Sequence, residues 1–248
     1  MLMIAKPSYV VVASISFLSF RALHYFVKAN ISSPSSLSLN KEWLYRNTVI
    51  SFIHASISSV WAIYCFHDKP AIASDMLYDW NLPSYYLLAF LLGYIVHDCL
   101  DIVINDFKGS TGLIIHHILT FVDAAFALST EQYITVATGL LLMEFNSIFL
   151  HIRRLMRFKG VKPSTLAYKM NLAGLFVTFV VLRFVLLVWL IVYFIQKGRT
   201  IPLLHYVLGT VGMFGLIVVN TILFLRLFRN EFSMFSLTQN NKRREKMN

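Results

Sequence analysis

The chain has 248 residues, of which 57% are hydrophobic and only 14% charged, and its mean hydropathy is +0.65. A soluble domain carries about 25% charged residues, so this composition excludes a water-soluble fold and points to an integral membrane protein. The net charge of +10 does not imply a nucleic-acid partner, because the basic residues sit mainly in connections on one side of the bilayer.

A helical span needs about 20 mostly apolar residues. The sequence offers seven, at 8–27, 47–66, 83–104, 111–130, 133–152, 169–195 and 202–228. In the first, Lys6 precedes an apolar core as in a signal peptide, but Arg21 and His24 follow where small cleavage-site residues would be needed, so it reads as an uncleaved span. Asn30 to Asn40, rich in Ser, Pro and Asn, is the most loop-like stretch. It separates an N-terminal helix and linker, 1–39, from a six-span domain at 40–232, and a basic tail follows at 233–248.

The connections at 28–46, 105–110 and 153–168 share a side with the C-terminus. They hold Lys28, Lys41, Arg46, Lys108 and the basic cluster from Arg153, against Lys6, Lys69, Lys197 and Arg199 opposite. The positive-inside rule puts that side in the cytosol and the N-terminus outside. There the basic loops and tail face anionic leaflet lipids. Trp43, Trp61, Trp80 and Trp189 fall near span ends, as in an aromatic belt. Cys65 and Cys99 lie toward opposite membrane faces and read as free thiols.

Asp98, Asp101, Asp123, Glu144 and Arg183 lie inside spans. At about 2.5–3.5 kcal/mol each when unpaired, such residues need partners or a polar cavity, and they mark pathways or sites. His97 and Asp101 are four apart on one helical face, Asp98 and Asp101 are three apart, and His116, Thr120 and Asp123 form another row. His117 points about 100° away from His116. The third and fourth spans form a hairpin through Asn105, Asp106, Lys108, Gly109 and Ser110, so their polar residues can meet. His54 and Asn47, Glu144 and Asn146, and Asn220 fall at neighbouring depths, with Arg183 nearer the middle. That predicts a buried polar chamber open toward the cytosolic leaflet.

The ordered set Ser51-Phe-Ile-His54, Ser59-Val-Trp-Ala62, Gly93-Tyr-Ile-Val-His-Asp98, Asp101-Ile102, His116-His117, Glu144-Phe-Asn-Ser-Ile-Phe-Leu150 and Arg153 resembles the TLC-domain family. That family includes TRAM proteins, CLN proteins and ceramide synthases, and the likeness covers about residues 40–232. The resemblance implies an all-α membrane fold: six helices forming a barrel that holds a long acyl chain, plus one N-terminal helix. It also implies acyl transfer from coenzyme A at the paired histidines. A neutral imidazole can attack a thioester or take a proton from an amine while a carboxylate orients the other ring nitrogen. His116 and His117 would be nucleophile and base, Asp101 or Glu144 the orienter, and His97 a further member of the catalytic set. Asp98, Asp123, Asn146, Arg183 and His54 would contact substrate. Acyl-CoA enters as donor substrate, and no bound cofactor is expected.

The synthases place a His-Asp element and a second Asp after the paired histidines. Here His97-Asp98 and Asp101 precede the pair, and the following helix has Glu144 and Asn146. The likeness is closer to the small plasma-membrane TLC domain-containing proteins, linked to phospholipid homeostasis through limiting polyunsaturated, fluidising acyl chains. Membrane lipids and acyl chains are the implied partners, and a homo-oligomer is compatible. Two other readings stay open: a non-enzymatic lipid sensor or carrier, and a ceramidase-type hydrolase with zinc held by His97, Asp101, His116 and His117. Arg244 and Lys246 near the end faintly resemble a basic retrieval signal of the endoplasmic reticulum.

Orientation is directly testable. A reporter fused after Asn248 is expected in the cytosol, and the Asn30-Ile-Ser32 sequon is expected to stay unglycosylated. A glycan on Asn30 in a glycosidase-shift assay would invert the whole topology.

Overall fold

The computed structural model describes the backbone of residues 7–34 and 37–245, with side chains described outside 39–40 and 233–245. Lys6 and Lys246 lie outside those residues, and the side chain of Arg244 is likewise undescribed. Among the described residues there is no strand. Among the same residues, seven helical segments are long and apolar enough to cross a membrane: Tyr9–Asn30, Lys41–Asp68, Leu82–Asp106, Thr111–Thr130, Ile134–Phe158, Leu166–Gln196 and Leu203–Phe232. Large apolar side chains such as Val10, Leu18, Ile104, Ile118 and Val211 are exposed, as lipid-facing positions are when hydrocarbon takes the place of water.

The chain divides into two compact units, up to Lys159 and from Gly160. The first contains α1 (Tyr9–Asn30), α2 (Leu39–Asp68), α3 (Leu82–Asp106), α4 (Thr111–Thr130), α5 (Ile134–Leu141) and α6 (Glu144–Phe158). Helix α2 packs on α3, α5 and α6, and α3 packs on α1, α4 and α5.

Local chemistry sets the ends of α3. The Asn81 side chain accepts from the Ser84 N–H at 3.1 Å, and the Ser84 hydroxyl accepts from the Asn81 N–H at 3.3 Å. This is a reciprocal cap, with Pro83 in the first turn. Asn81 Nδ2 also donates to the Cys65 carbonyl at 2.9 Å and to Asp68 at 3.0 Å, tying the start of α3 to the end of α2.

Helix α2 begins eight residues before the predicted span, at Leu39 rather than 47. Its polar first turns are too hydrophilic for a hydropathy window yet remain helical, which puts Trp43 and Asn47 on one helical face. The predicted fifth span is interrupted. At Leu142 and Met143 the backbone donors reach Gly139 and Leu140, three residues back rather than four, and α6 starts anew at Glu144.

Helix α1 docks closely on α3. A Cβ on Gly93 would run into the Ala13 carbonyl oxygen, and would lie 2.6 Å from both the Phe17 nitrogen and Ser16 Cβ. Small residues permit such backbone approach in membranes. The contact is fixed by Ser16 Oγ donating to the Phe90 carbonyl at 2.7 Å and by the Tyr9 N–H reaching the Tyr85 hydroxyl at 3.1 Å.

The second unit contains α7 (Leu166–Thr178), a π-helical segment (Phe179–Val185), α8 (Leu186–Gln196) and α9 (Leu203–Glu245). The wider turn departs from the single regular helix predicted for 169–195, and the Leu186 N–H reaches back five residues to Val181. The Tyr168 hydroxyl donates to the buried Glu231 carboxylate, 3.0 and 3.2 Å from its two oxygens. Helix α9 continues through Glu245, so the described backbone of the basic tail extends the last span's helix.

The α1–α3 contact gives a test in which two effects oppose. Gly→Ala in a helix favours folding by up to about 1 kcal/mol, whereas overpacking costs about 1–3 kcal/mol. Thermal unfolding in nanodiscs should therefore show Gly93→Ala destabilised. Gly215→Ala, where an added Cβ meets nothing within 4 Å, should be neutral or stabilised. Equal stability of the two variants would contradict the close docking of α1.

Candidate functional site

Polar residues from α1, α2, α3 and α4 meet around two buried carboxylates. Asp98 and Asp101 of α3 are 2% and 3% exposed, and their spacing of three puts both on one side of the helix. Asp98 Oδ2 lies 2.8 Å from His117 Nε2 of α4, and its Oδ1 accepts from Asn47 Nδ2 of α2 at 2.7 Å. Asp101 Oδ2 accepts from the Trp43 indole N–H at 2.7 Å and from Asn47 Nδ2 at 3.3 Å. Its Oδ1 receives Asn105 Nδ2 at 3.4 Å and faces His24 Nδ1 of α1 at 3.6 Å. Asn47 therefore bridges both carboxylates, and each carboxylate ties α3 to α2.

The row Asn47, Ser51, His54 and Ser58 follows the face of α2 that carries Asn47, and all four are buried. The His54 ring stacks on Tyr94 with centroids 3.6 Å apart and planes 8° apart, and its Nε2 lies 3.0 Å from Ser58 Oγ. Tyr94 then meets His117 edge-on at 6.3 Å. Phe20 of α1 packs against His54, Tyr94 and His97, with centroids 5.9, 5.1 and 6.0 Å away.

The paired histidines have different surroundings. His117 is buried and held by Asp98, whereas His116 is half-buried, with its ring 5.7 Å from that of His117. The carboxylate against His117 is thus Asp98, while Asp101 engages Trp43, Asn47 and Asn105. His117 Nδ1 has no hydrogen-bond partner among the described residues. With a carboxylate on one ring nitrogen, the other is set for proton transfer or nucleophilic attack.

His97 is fully buried, and neither of its ring nitrogens has a hydrogen-bond partner. It stands edge-on to His24 at 5.9 Å. An unmatched buried polar group costs about 1–3 kcal/mol.

The other predicted site residues are placed as follows. Glu144 is half-buried in the first turn of α6, and Asn146 is fully buried beside it in sequence. Asp123 is exposed on the face of α4 that carries His116. In the second unit, Arg183 lies in the π-helical segment, donates to Asn220 Oδ1 at 2.7 Å and sits 5.4 Å from the Phe179 ring centre. Among the described residues no three His, Cys, Asp or Glu side chains converge as a metal-ligand set, so the geometry supplies no donor set for the zinc reading. Cys65 and Cys99 are free thiols.

Sequence reasoning missed Trp43, His24 and Phe20 as parts of this cluster. Trp43 reads as an interfacial anchor, although its spacing of four from Asn47 puts the two on one face. No comparable spacing links His24 to α3, because that contact depends on the docking of α1.

Comparison with known proteins agrees with this architecture. The TLC-domain family profile matches residues 45–229. TLC domain-containing protein 2 of Danio rerio is 34% identical over 191 residues, 77% of each chain. TLC domain-containing protein 1 of Mus musculus is 27% identical over 218 residues, 87% of each chain. TLC domain-containing protein 2 of Homo sapiens is 27% identical over 226 residues, 91% of this chain and 84% of its own. With seven candidate spans and a matching profile over most of its length, the chain is a multi-pass membrane protein and belongs to the TLC-domain family.

Proposed function

We propose that the protein maintains membrane phospholipid composition by transferring acyl chains at His117, limiting polyunsaturated phospholipids and membrane fluidity. The observation that carries this reading is the 2.8 Å contact between His117 Nε2 and the buried Asp98 carboxylate, in a family whose membership gives a lipid-related membrane role. Asp98 accepts a hydrogen bond from Nε2–H and fixes the ring, so the Nδ1 lone pair takes the proton of an acceptor hydroxyl or amine. The acceptor oxygen or nitrogen then bonds to the acyl carbon of an acyl-CoA, the C–S bond breaks, and the coenzyme A thiolate takes up the proton. Asn47 donates to both carboxylates and Trp43 to Asp101. Plasma-membrane residence with a cytosolic C-terminus belongs to the same proposal, supported by the basic loops.

One observation favours a second reading, a lipid sensor or carrier without chemistry. Ser56, Ile57, Val60, Trp61 and Tyr64 of α2 with Leu82, Pro83 and Tyr86 of α3 line an apolar groove of ≈ 890 Å³. Hydrocarbon fits such a surface with no reactive group near it.

Amide substitutions separate the two readings, because Gln retains hydrogen bonding but cannot titrate. Cells lacking the protein should gain polyunsaturated phospholipids under fatty-acid load. His116→Gln should largely restore the normal lipid profile, whereas His117→Gln at normal abundance should not. In vitro, His117→Gln should lower acyl transfer by about 10²–10⁴-fold. Full rescue by His117→Gln would remove the catalytic reading and leave the carrier.

A further inference from the structure

The family profile begins at Tyr45, yet α1 reaches the carboxylate cluster from outside that region. His24 Nδ1 is buried, lies 3.6 Å from Asp101 Oδ1 and makes no hydrogen bond. The gap is too long for a direct bond, and a ligand nitrogen or oxygen bridging it would satisfy both atoms. The His24 side chain keeps 17% of its surface exposed and that of Asp101 4%, while Nδ1 itself is buried, so a ligand enters the gap only if the His24 ring turns.

A second observation points to the same place. His97 is fully buried, stands edge-on to His24, and has no partner at either ring nitrogen. Phe20 covers its face at 6.0 Å. His24 Nδ1 and both His97 ring nitrogens thus have hydrogen-bonding capacity unused beside Asp101, one turn or less along α3 from the Asp98 that holds His117.

We propose that α1 completes the site, and that His24 and Asp101, backed by His97, seat the proton-bearing polar group of the acyl acceptor. The carboxylate is an acceptor only, and a neutral imidazole nitrogen accepts or donates according to its tautomer. The pair therefore fits an amine with two N–H bonds, or a hydroxyl that donates to Asp101 and accepts from His24. A thioester carbonyl can accept from His24 but offers Asp101 no proton, and an apolar chain end satisfies neither. The seat selects acceptor over donor and rests on the acyl-transfer reading given above.

The test uses the full-length protein in phosphatidylcholine nanodiscs with two probes, a lysophospholipid and a long-chain primary amine, each carrying a diazirine beside its polar group. Without acyl-CoA, at least one probe should label residues within α1 near His24, and His24→Leu should reduce that labelling about tenfold, the ratio given by one lost hydrogen bond of ordinary strength. His24→Gln should recover most of it. With acyl-CoA present, His24→Leu should raise the KM for the acceptor by a similar factor and leave the KM for acyl-CoA unchanged. Whichever probe labels identifies the acceptor as hydroxyl or amine.

Equal labelling of wild type and His24→Leu would overturn the proposal, as would labelling of α1 by neither probe, the outcome for a gap filled by water alone. If His24→Leu fails to fold, the position of the label in wild type decides, on α1 for the seat and elsewhere against it. Wild-type protein that is labelled at α1 but never consumes acyl-CoA would sink the acyl-transfer reading and keep the seat. Transfer with an acceptor KM indifferent to His24 would do the reverse.

Discussion

Placing two carboxylates three residues apart inside a membrane helix is the constraint on which the first unit depends. Hydrogen-bonding side chains surround both. Asp98 draws on Asn47 and His117, and Asp101 on Trp43, Asn47 and Asn105. Each hydrogen bond to a charged group contributes about 1.5–3 kcal/mol. Leaving a buried charge without its partner costs about 3–5 kcal/mol. Apart from Asn105 of α3 itself, the donors come from α2 and α4, so satisfying the carboxylates also sets how those helices meet α3. The same interaction that makes α3 tolerable in a bilayer holds His117 in one orientation.

Helix α1 shares in this arrangement through shape. Gly93 lets its backbone approach α3, Ser16 and Tyr9 fix the register, and Phe20 and His24 follow on the side facing the cluster. Phe20 packs against three of the site's rings and closes it with apolar surface. A helix that reads as an appendage is therefore part of the wall.

Much of this was legible in the sequence because hydropathy and helical period are local properties. The spans, the hairpin joining α3 to α4, the shared face of Asp98 and Asp101, and the divergence of His116 from His117 all follow from counting residues. The exposure of Asp123 does not follow from that count, which puts it in a row with His116 and among the charges needing a partner. Other features depend on partners distant in sequence. The start of α2 at Leu39 is hidden because its first turns are polar, and Trp43 resembles a belt residue until Asp101 is seen beside it. The break before Glu144 and the π-helical turn at Arg183 are changes of backbone register that leave hydropathy untouched. The choice of Asp98 rather than Asp101 as the partner of His117 depends on how α4 packs, which the i, i+3 spacing of the two carboxylates leaves open.

The account stands on the Asp98–His117 contact, and ring-nitrogen chemical shifts report it directly. In lipid-reconstituted protein labelled with ¹⁵N-histidine, the His117 resonances can be assigned by their loss in His117→Gln. The account predicts a protonated Nε2 with the shift of a strong hydrogen bond to a carboxylate, and a return toward the ordinary imidazole value in Asp98→Asn. A His117 spectrum that Asp98→Asn leaves unchanged would contradict it.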